Sequence, residues 1–380
     1  MRPHVDQRQA RVLTLVRARG SARVADLAKE LGISPVTLRR DVEAMAARGE
    51  IQRMHGAISR LEPVPAAPVP GPAVPGSVPD PGRGGGGLVI GMVVPTTEYY
   101  YADVVRGARE VVEARGARLA VGLTRYLAGE DRTQADRLLS TGADGLLLTP
   151  NWEAGTPGPG EGAWTAELPV PTVLVERWAP PGHPAASLDR VSSDHADGAA
   201  RAVAHLAERG HKRIALASRE TPTSGRLRTG FAAAVATLGL EPPPAWPAAG
   251  AWPAAGAGAT AGAASPAEAE AFARTLDYLC AAVSEGGVTA ALIHSDTDAI
   301  MLIPRLQARG VRVPEDLAVI TYDDEVAELA DVPLSAVAPA KREVGARAAG
   351  MLLDRLEDRG AGREGPRQHL DLLPRLTVRP

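Results

Sequence analysis

The sequence predicts an α/β protein of two lobes, each a doubly wound parallel sheet, with a small basic helical head in front of them. Three observations carry that expectation. Strand-like and helix-like segments alternate from residue 88 onward over roughly 290 residues, too long a run for one sheet. Proline and glycine crowd residues 62–87, where no packed element can form. Residues 1–62 hold twelve Lys and Arg against seven Asp and Glu, a balance of +5 that leaves −8 for the rest of a chain with formal charge −3. Such a head suits a polyanion, and the body does not.

In the head, Val24, Leu27, Ala28 and Leu31 form one apolar stripe on a helix that Gly32 closes. Ser34 is a suitable N-cap for a second helix, Pro35 fits its first turn, and Leu38, Val42 and Met45 continue as its stripe. Two amphipathic helices joined by a short glycine turn make a helix-turn-helix, and Ser34, Thr37, Arg39 and Arg40 then stand at the start of the reading helix. Arg pairs bidentately with guanine or neutralises a phosphate; Thr contacts either. Residues 51–58 read as two short strands around a His55-Gly56 turn, a wing that offers Arg53 and His55 to the DNA backbone or minor groove. By spacing alone, a solvated helical hairpin fits the helix pair equally well. The run from Leu27 to Val42, followed by Gly49 to Ala57, resembles the DeoR-family DNA-binding domain over about residues 6–60. The expected domains are therefore a winged helix-turn-helix at 1–61, a Pro/Gly-rich linker at 62–87 and a two-lobed body at 88–380.

The body's elements follow in order. Strands are expected at 88–94, 118–122, 145–148, 172–175, 213–217, 288–294 and 317–322. Helices are expected at 100–115, 130–140, 195–209, up to about 238, and at 297–309. Cys280 falls in an apolar helical stretch with Leu276, Leu279 and Val283, where a buried inert thiol is expected. Residues 241–266 are low in complexity and read as a surface loop.

Ligands of open parallel sheets sit at the carboxyl ends of the strands, so the residues just after each apolar run are informative. Here they include Tyr100, Trp152, Glu176 to Trp178, Asp194, His294 to Asp296 and Tyr322 to Asp324, with Arg226 and Arg228 after the strand ending at Ala217. Carboxylates, guanidinium groups and aromatic faces together suit a sugar-like polyol. Asp194 and Asp296 each precede a helix and fit equally as N-caps, and Trp152 and Trp178 fit equally as shields at the lobe edges.

The segments Ile90 to Pro95, Gly142 to Leu148, Arg209-Gly-His-Lys-Arg-Ile214, Gly230-Phe231, Val313 to Val319 and Tyr322-Asp-Asp324 resemble the sensor domain of the LacI/GalR family, whose fold is periplasmic-binding-protein-like. That resemblance implies that Asp194, Asp296 and Tyr100 contact the effector. It also implies an effector arginine three residues before the Gly-Phe pair. Leu227 stands there, between Arg226 and Arg228, so either arginine fits the role. Family members carry a hinge helix that enters the minor groove, where this chain has its proline-rich linker.

The sequence holds no phosphate-loop, nucleophile-elbow or His-Glu-x-x-His motif, and the His294-Ser-Asp-Thr-Asp298 run reads as a helix start rather than a metal site. No catalytic residue, metal or cofactor is expected. The alternative is an enzyme acting on a sugar or nucleoside with an accessory DNA-binding head. No apolar run follows Met1 and no stretch could span a bilayer, so a cytoplasmic protein without membrane contact is expected. The overall expectation is a homodimeric repressor, with double-stranded operator DNA and a small-molecule effector, a sugar, as partners. Effector identity, operator sequence and the direction of regulation are not readable from the sequence.

Overall fold

The computed structural model describes residues 12, 21–23, 51–54, 57–60, 87–152, 155–244 and 266–380. The chain divides into two compact units, Met1–Gly82 and Arg83–Pro380. In the first, strands β1 (Ser21–Arg23), β2 (Ile51–Met54) and β3 (Ala57–Arg60) form an antiparallel sheet in the order β1-β3-β2. The β2 and β3 strands pair from Ile51↔Arg60 to Met54↔Ala57, the two-stranded ribbon expected on either side of residues 55–56. Arg53 lies on β2, opposite Ile58. Ser34, Thr37, Arg39, Arg40 and His55 lie outside the described residues, as does most of the linker.

In the second unit, β4 (Val89–Val94), β5 (Arg118–Leu123), β6 (Gly145–Leu148), β7 (Thr172–Val175) and β8 (Asp189–Ser193) build the first lobe, joined much later in the chain by β13 (His369–Leu372). The sheet order is β13-β8-β7-β6-β4-β5, and every pairing is parallel. Helices cover both faces. Ile90, Met92 and Val94 meet α1 (Tyr100–Ala114) and α7 (Lys341–Gly360), whereas Val93 and Leu148 meet α2 (Glu130–Ser140). Alternate residues of one strand thus enter two cores, which is why these strands read as continuous apolar runs.

The second lobe holds β9 (Ile214–Ser218), β10 (Ala290–His294), β11 (Ala318–Tyr322), β12 (Ser335–Ala338) and β14 (Arg375–Thr377), in the order β14-β12-β11-β10-β9, with β14 antiparallel to β12. Helices α3 (His195–Glu208) and α4 (Ser224–Thr237) pack on one face, and α5 (Pro266–Ser284) and α6 (Asp296–Ala308) on the other. Among the described residues the chain passes between the lobes at Asp194, at Pro339–Ala340 and at Leu373–Pro374, so neither lobe is continuous in sequence.

Several expectations need adjustment. The alternation read from the sequence stops at β11, whereas the structure adds α7, β8, β12, β13 and β14. Cys280 is half-buried on α5 rather than enclosed. The low-complexity stretch begins with ordered backbone, since Glu241 N donates to Lys212 O at 2.9 Å, and α5 begins at Pro266; residues 245–265 lie outside the described set.

The α1–α7 crossing is close enough to need glycine on both sides: a Cβ at Gly107 would overlap the Arg342 carbonyl, and one at Gly345 the Val104 carbonyl. Both obstacles are backbone, so neither can swing aside. Gly345→Ala is therefore expected to lower the unfolding free energy by about 1–3 kcal/mol in urea titrations. An unchanged midpoint would show that the helices separate freely.

Candidate ligand-binding cleft

A cavity of about 830 Å³ lies between the lobes, lined by segments that follow β4, β5 and β7 on one side and β9, β10 and β11 on the other. It sits at the carboxyl ends of both sheets, as the rule for open parallel sheets requires. The local backbone is distinctive there. Tyr99, Arg125, Tyr126, Glu176 and Asp323 all have positive φ and all line this cavity; Asp324 is the remaining non-glycine residue of that kind among those described. Such conformations persist where the surrounding structure enforces them, commonly at binding sites.

Glu176 organises the base of the cleft. Its carboxylate accepts from Tyr100 Oη at 2.6 Å, from Ser193 N at 3.1 Å and from Ser193 Oγ at 2.9 Å, and lies 3.4 Å from His195 Nε2. Burial opposes the charge, but His195, the Tyr100 hydroxyl and the Ser193 amide outweigh it and hold this carboxyl below its ordinary range. His195 Nδ1 in turn lies 3.1 Å from the Tyr322 hydroxyl. Since Glu176 belongs to the first lobe and His195 to α3, this network crosses between the lobes.

Two further links cross as well. The Tyr99 hydroxyl, just before α1, donates to Asp296 at the start of α6 and lies 3.4 Å from Asp323. Lys341, the first residue of α7, donates from Nζ to the Asp323 carbonyl and to the Glu325 carboxylate. Asp296 also accepts from Glu325 N at 2.6 Å, Val326 N at 2.7 Å and Thr297 N at 2.8 Å.

The residues singled out from sequence separate into groups. Tyr100 lines the cavity. Arg226 lines a small adjoining recess, with its guanidinium 5.9 Å from the Trp178 ring and 3.6 Å from Asp194. Asp194 caps α3, accepting from Ala196 N and Asp197 N. Asp296 and Tyr322 are fully buried beneath the cleft wall. The structure does not bring Trp152 or Arg228 to the cleft. Trp152 is 2% exposed in the first-lobe core, edge-on to His183, because the chain turns inward after β6. Arg228 pairs with Glu220 at 2.7 Å and faces a separate cavity beside Phe231 and Tyr278, two positions round α4 from Arg226. Sequence reasoning missed Arg125, Tyr126, His195, Arg219 and Asp298. The Arg219–Asp298 pair is bidentate, with Nε to Oδ2 at 2.6 Å. Two charged residues after β9 and β10 were its available signal.

Ser218, His294 and Asp323 stand in the order of an acyl-transfer triad, with His294 Nδ1 3.3 Å from Ser218 Oγ and Nε2 3.7 Å from Asp323. Burial, reinforced by His195 and Arg219 against the opposing pull of Asp298, brings His294 down to about 4, which makes it a feeble base at neutral pH. The Ser218 hydroxyl meanwhile donates to the Arg219 carbonyl. At the start of α6, Ser295 and Asp298 form a capping box, the helix-start reading of the His294–Asp298 run.

Burial, helped by Asp296 and opposed by Lys341, raises Asp323 from 3.8 to about 6. A carboxyl raised on folding contributes stability that is complete below about pH 4 and lost as pH climbs to about 6. His294 is lowered on folding, so its contribution is complete above about 6.5 and lost as pH falls toward 4. The two slopes oppose one another. Asp323→Asn should therefore gain on the parent by about 2–3 kcal/mol between pH 4 and 6.5 and no further above it. Denaturant titrations across pH would reveal a constant difference if Asp323 ionised normally.

A DeoR-like helix-turn-helix domain model matches residues 8–64. The model for periplasmic binding proteins and the sugar binding domain of the LacI family matches residues 87–247, and a periplasmic binding protein-like domain model matches 203–380. The HTH-type transcriptional repressor PurR of Vibrio cholerae is 27% identical over 300 residues, covering 76% of this chain and 80% of its own. The HTH-type transcriptional repressor CytR of Escherichia coli K12 is 24% identical over 295 residues, covering 77% and 79%. In fold, a regulatory protein of the LacI family from Chloroflexus aggregans aligns with TM-score 0.60 at 22% identity, covering 77% of this chain and 97% of that one. The transcriptional regulator CelR, solved as a cellobiose complex, aligns with TM-score 0.59 at 22% identity over 100% and 99%.

Proposed function

Since this chain is a transcription regulator that joins a DeoR-like helix-turn-helix domain to LacI-type periplasmic-binding-protein-like domains, we propose that it acts in the cytoplasm as a homodimeric repressor, holding an operator until a polyhydroxy effector fills the cleft. The observation that carries this reading is the 830 Å³ cavity built from both lobes of a sensor-type body. Its volume suits a mono- or disaccharide or a nucleoside. Tyrosines give it flat apolar faces, and Glu176, Arg177, Arg219 and Asp298 give it directional hydrogen bonds. Arg226, which lines the recess adjoining the cleft, is the arginine proposed to meet an effector, rather than Arg228, which lines a separate cavity. Asp194 and Asp296 act from behind the wall by holding helix starts and the Glu325–Val326 segment in position.

Three inter-lobe connections form a natural hinge, and the Tyr99–Asp296, Glu176–His195 and Lys341–Glu325 links are what a closing motion would make or break. Met301, Leu329 and Val332 leave 41%, 73% and 53% of their surface exposed on the second lobe, which favours a partner chain there. Ser34, Thr37, Arg39, Arg40, Arg53 and His55 are the proposed DNA contacts.

Operator selection with the purified full chain tests the reading, with a panel of monosaccharides and nucleosides added to the retained complex. Retention of a two-fold site by a dimer and its release by one compound are expected. Failure to retain any sequence specifically would remove the regulator, and turnover of a panel compound would favour the enzyme. Arg39→Ala or Arg40→Ala should weaken operator binding by about 1–3 kcal/mol if the residue reads a base; a uniform loss with a shallower salt slope marks a phosphate contact.

A further inference from the structure

We propose that the effector carries an anionic oxygen group, a carboxylate or a phosphate, that seats on the first-lobe wall of the cleft against Arg177 and Arg125; this rests on the cleft being the effector site. Arg177 follows Glu176 and is 2% exposed, yet all its bonds go to neutral acceptors. Nε donates to the Pro150 carbonyl, and Nη1 donates to the Glu176 carbonyl at 2.8 Å and the Tyr101 hydroxyl at 3.2 Å. Nη2 is buried with no partner. Buried guanidinium groups are normally met by carboxylates, because a desolvated charge without a counter-charge is costly.

Asp131 feels the Arg177 charge but makes no ion pair with it; its Oδ2 accepts from Asn151 N at 2.6 Å, its Oδ1 is buried without a partner, and burial raises its carboxyl above the usual range. Thr149, beside the Pro150 carbonyl that anchors Arg177, also has a buried hydroxyl without a partner. Nearer the mouth, Arg125 is exposed, lines the same cavity from a positive-φ position, and has no ion pair among the described residues.

The opposite wall contrasts with this. Arg219 is matched by Asp298, and Arg226 lies beside Asp194. The buried carboxylates of Glu176, Asp296 and Asp298 already accept from protein donors, and Glu98 is exposed at the mouth. On the second-lobe side the buried Asp323 carboxylate has only the Tyr99 hydroxyl at 3.4 Å and His294 Nε2 at 3.7 Å near it, so the charge without an ion pair is negative there and positive on the first-lobe wall. A neutral sugar leaves Arg177 unmatched. An acid pairs with the Arg177 guanidinium at the first-lobe wall and draws Arg125 over itself.

The full chain would be melted in increasing inorganic phosphate or sodium acetate, against sodium chloride at equal ionic strength. A saturable rise in melting temperature is expected with one of them, and whichever binds more tightly identifies a phosphate or a carboxylate as the group. Arg125→Gln, at an exposed position that folding tolerates, should weaken that anion at least fivefold, and Arg177→Gln should abolish the response. No saturable rise with either anion, or a rise undiminished in both variants, would overturn the proposal. Operator retention does not enter the measurement, so failure of the regulator reading and failure of the anion site are separately visible.

Discussion

Asp189→Asn is expected to cost about 3–5 kcal/mol of unfolding free energy, the largest stability loss foreseen for a single conservative change in this chain. Asp189 opens β8, is fully buried, and receives Arg355 Nε at 3.0 Å and Nη2 at 2.9 Å, Arg367 Nη1 at 3.3 Å and Gln368 N at 2.7 Å. One carboxylate thus ties the strand that ends the first pass through this lobe to α7 and to the run into β13. Replacing one oxygen by an amide turns an acceptor into a donor among donors and leaves the Arg355 guanidinium, 12% exposed, without its counter-charge. Urea titration measures the loss. The double variant Asp189→Asn with Arg355→Met should recover part of it, because the buried guanidinium is then gone and only the half-exposed Arg367 is left without its partner. A loss below about 1 kcal/mol would mean that the pair is solvated and of little worth.

Asp296→Asn is expected to lower effector affinity about 100-fold, close to 3 kcal/mol. The carboxylate accepts from Tyr99, Thr297, Glu325 and Val326, and every one of those partners is a donor. An amide at this position must direct an NH₂ group toward one of them. Tyr99→Phe removes only the link to the other lobe and should cost about tenfold, with little change in stability. Calorimetric titration of the compound that releases the operator separates the cases. Equal losses in affinity and melting temperature for both variants would make Asp296 a scaffold residue alone; an affinity loss that exceeds the stability loss marks it as a positioning residue for closure.

The sequence located the cleft better than its contents. Apolar runs end where strands end, so Glu176, Arg177, His294 and Asp323 were placed at the carboxyl ends of sheets by pattern alone. Which way a side chain points beyond a strand depends on backbone that pattern does not report. Positive φ at Tyr99, Arg125, Tyr126, Glu176 and Asp323 reorients the chain just where alternation would otherwise be extrapolated. Trp152 and Arg228 show the consequence: each follows a strand as expected, and each faces away from the cleft. The two N-cap candidates illustrate a different limit. Asp194 and Asp296 are both at helix starts, yet Asp194 caps its helix while Asp296 reaches back to a distant loop and across to Tyr99, contacts that no local spacing encodes. Long-range return explains the missed elements, since α7 and β13 complete a lobe whose other strands ended near residue 193.

That return also sets a timetable for synthesis. The strands β1–β3 of the head all lie before residue 61, whereas each lobe of the body receives a strand only from residues 369–377, one to each sheet. At bacterial-scale elongation of about 5–20 residues per second, roughly 300 further residues take about 15 to 60 seconds to make. Throughout that interval the segment that meets DNA has left the ribosome while both halves of the sensor still lack a strand. A newborn chain thus carries its complete head for that long before either sheet of the sensor is closed.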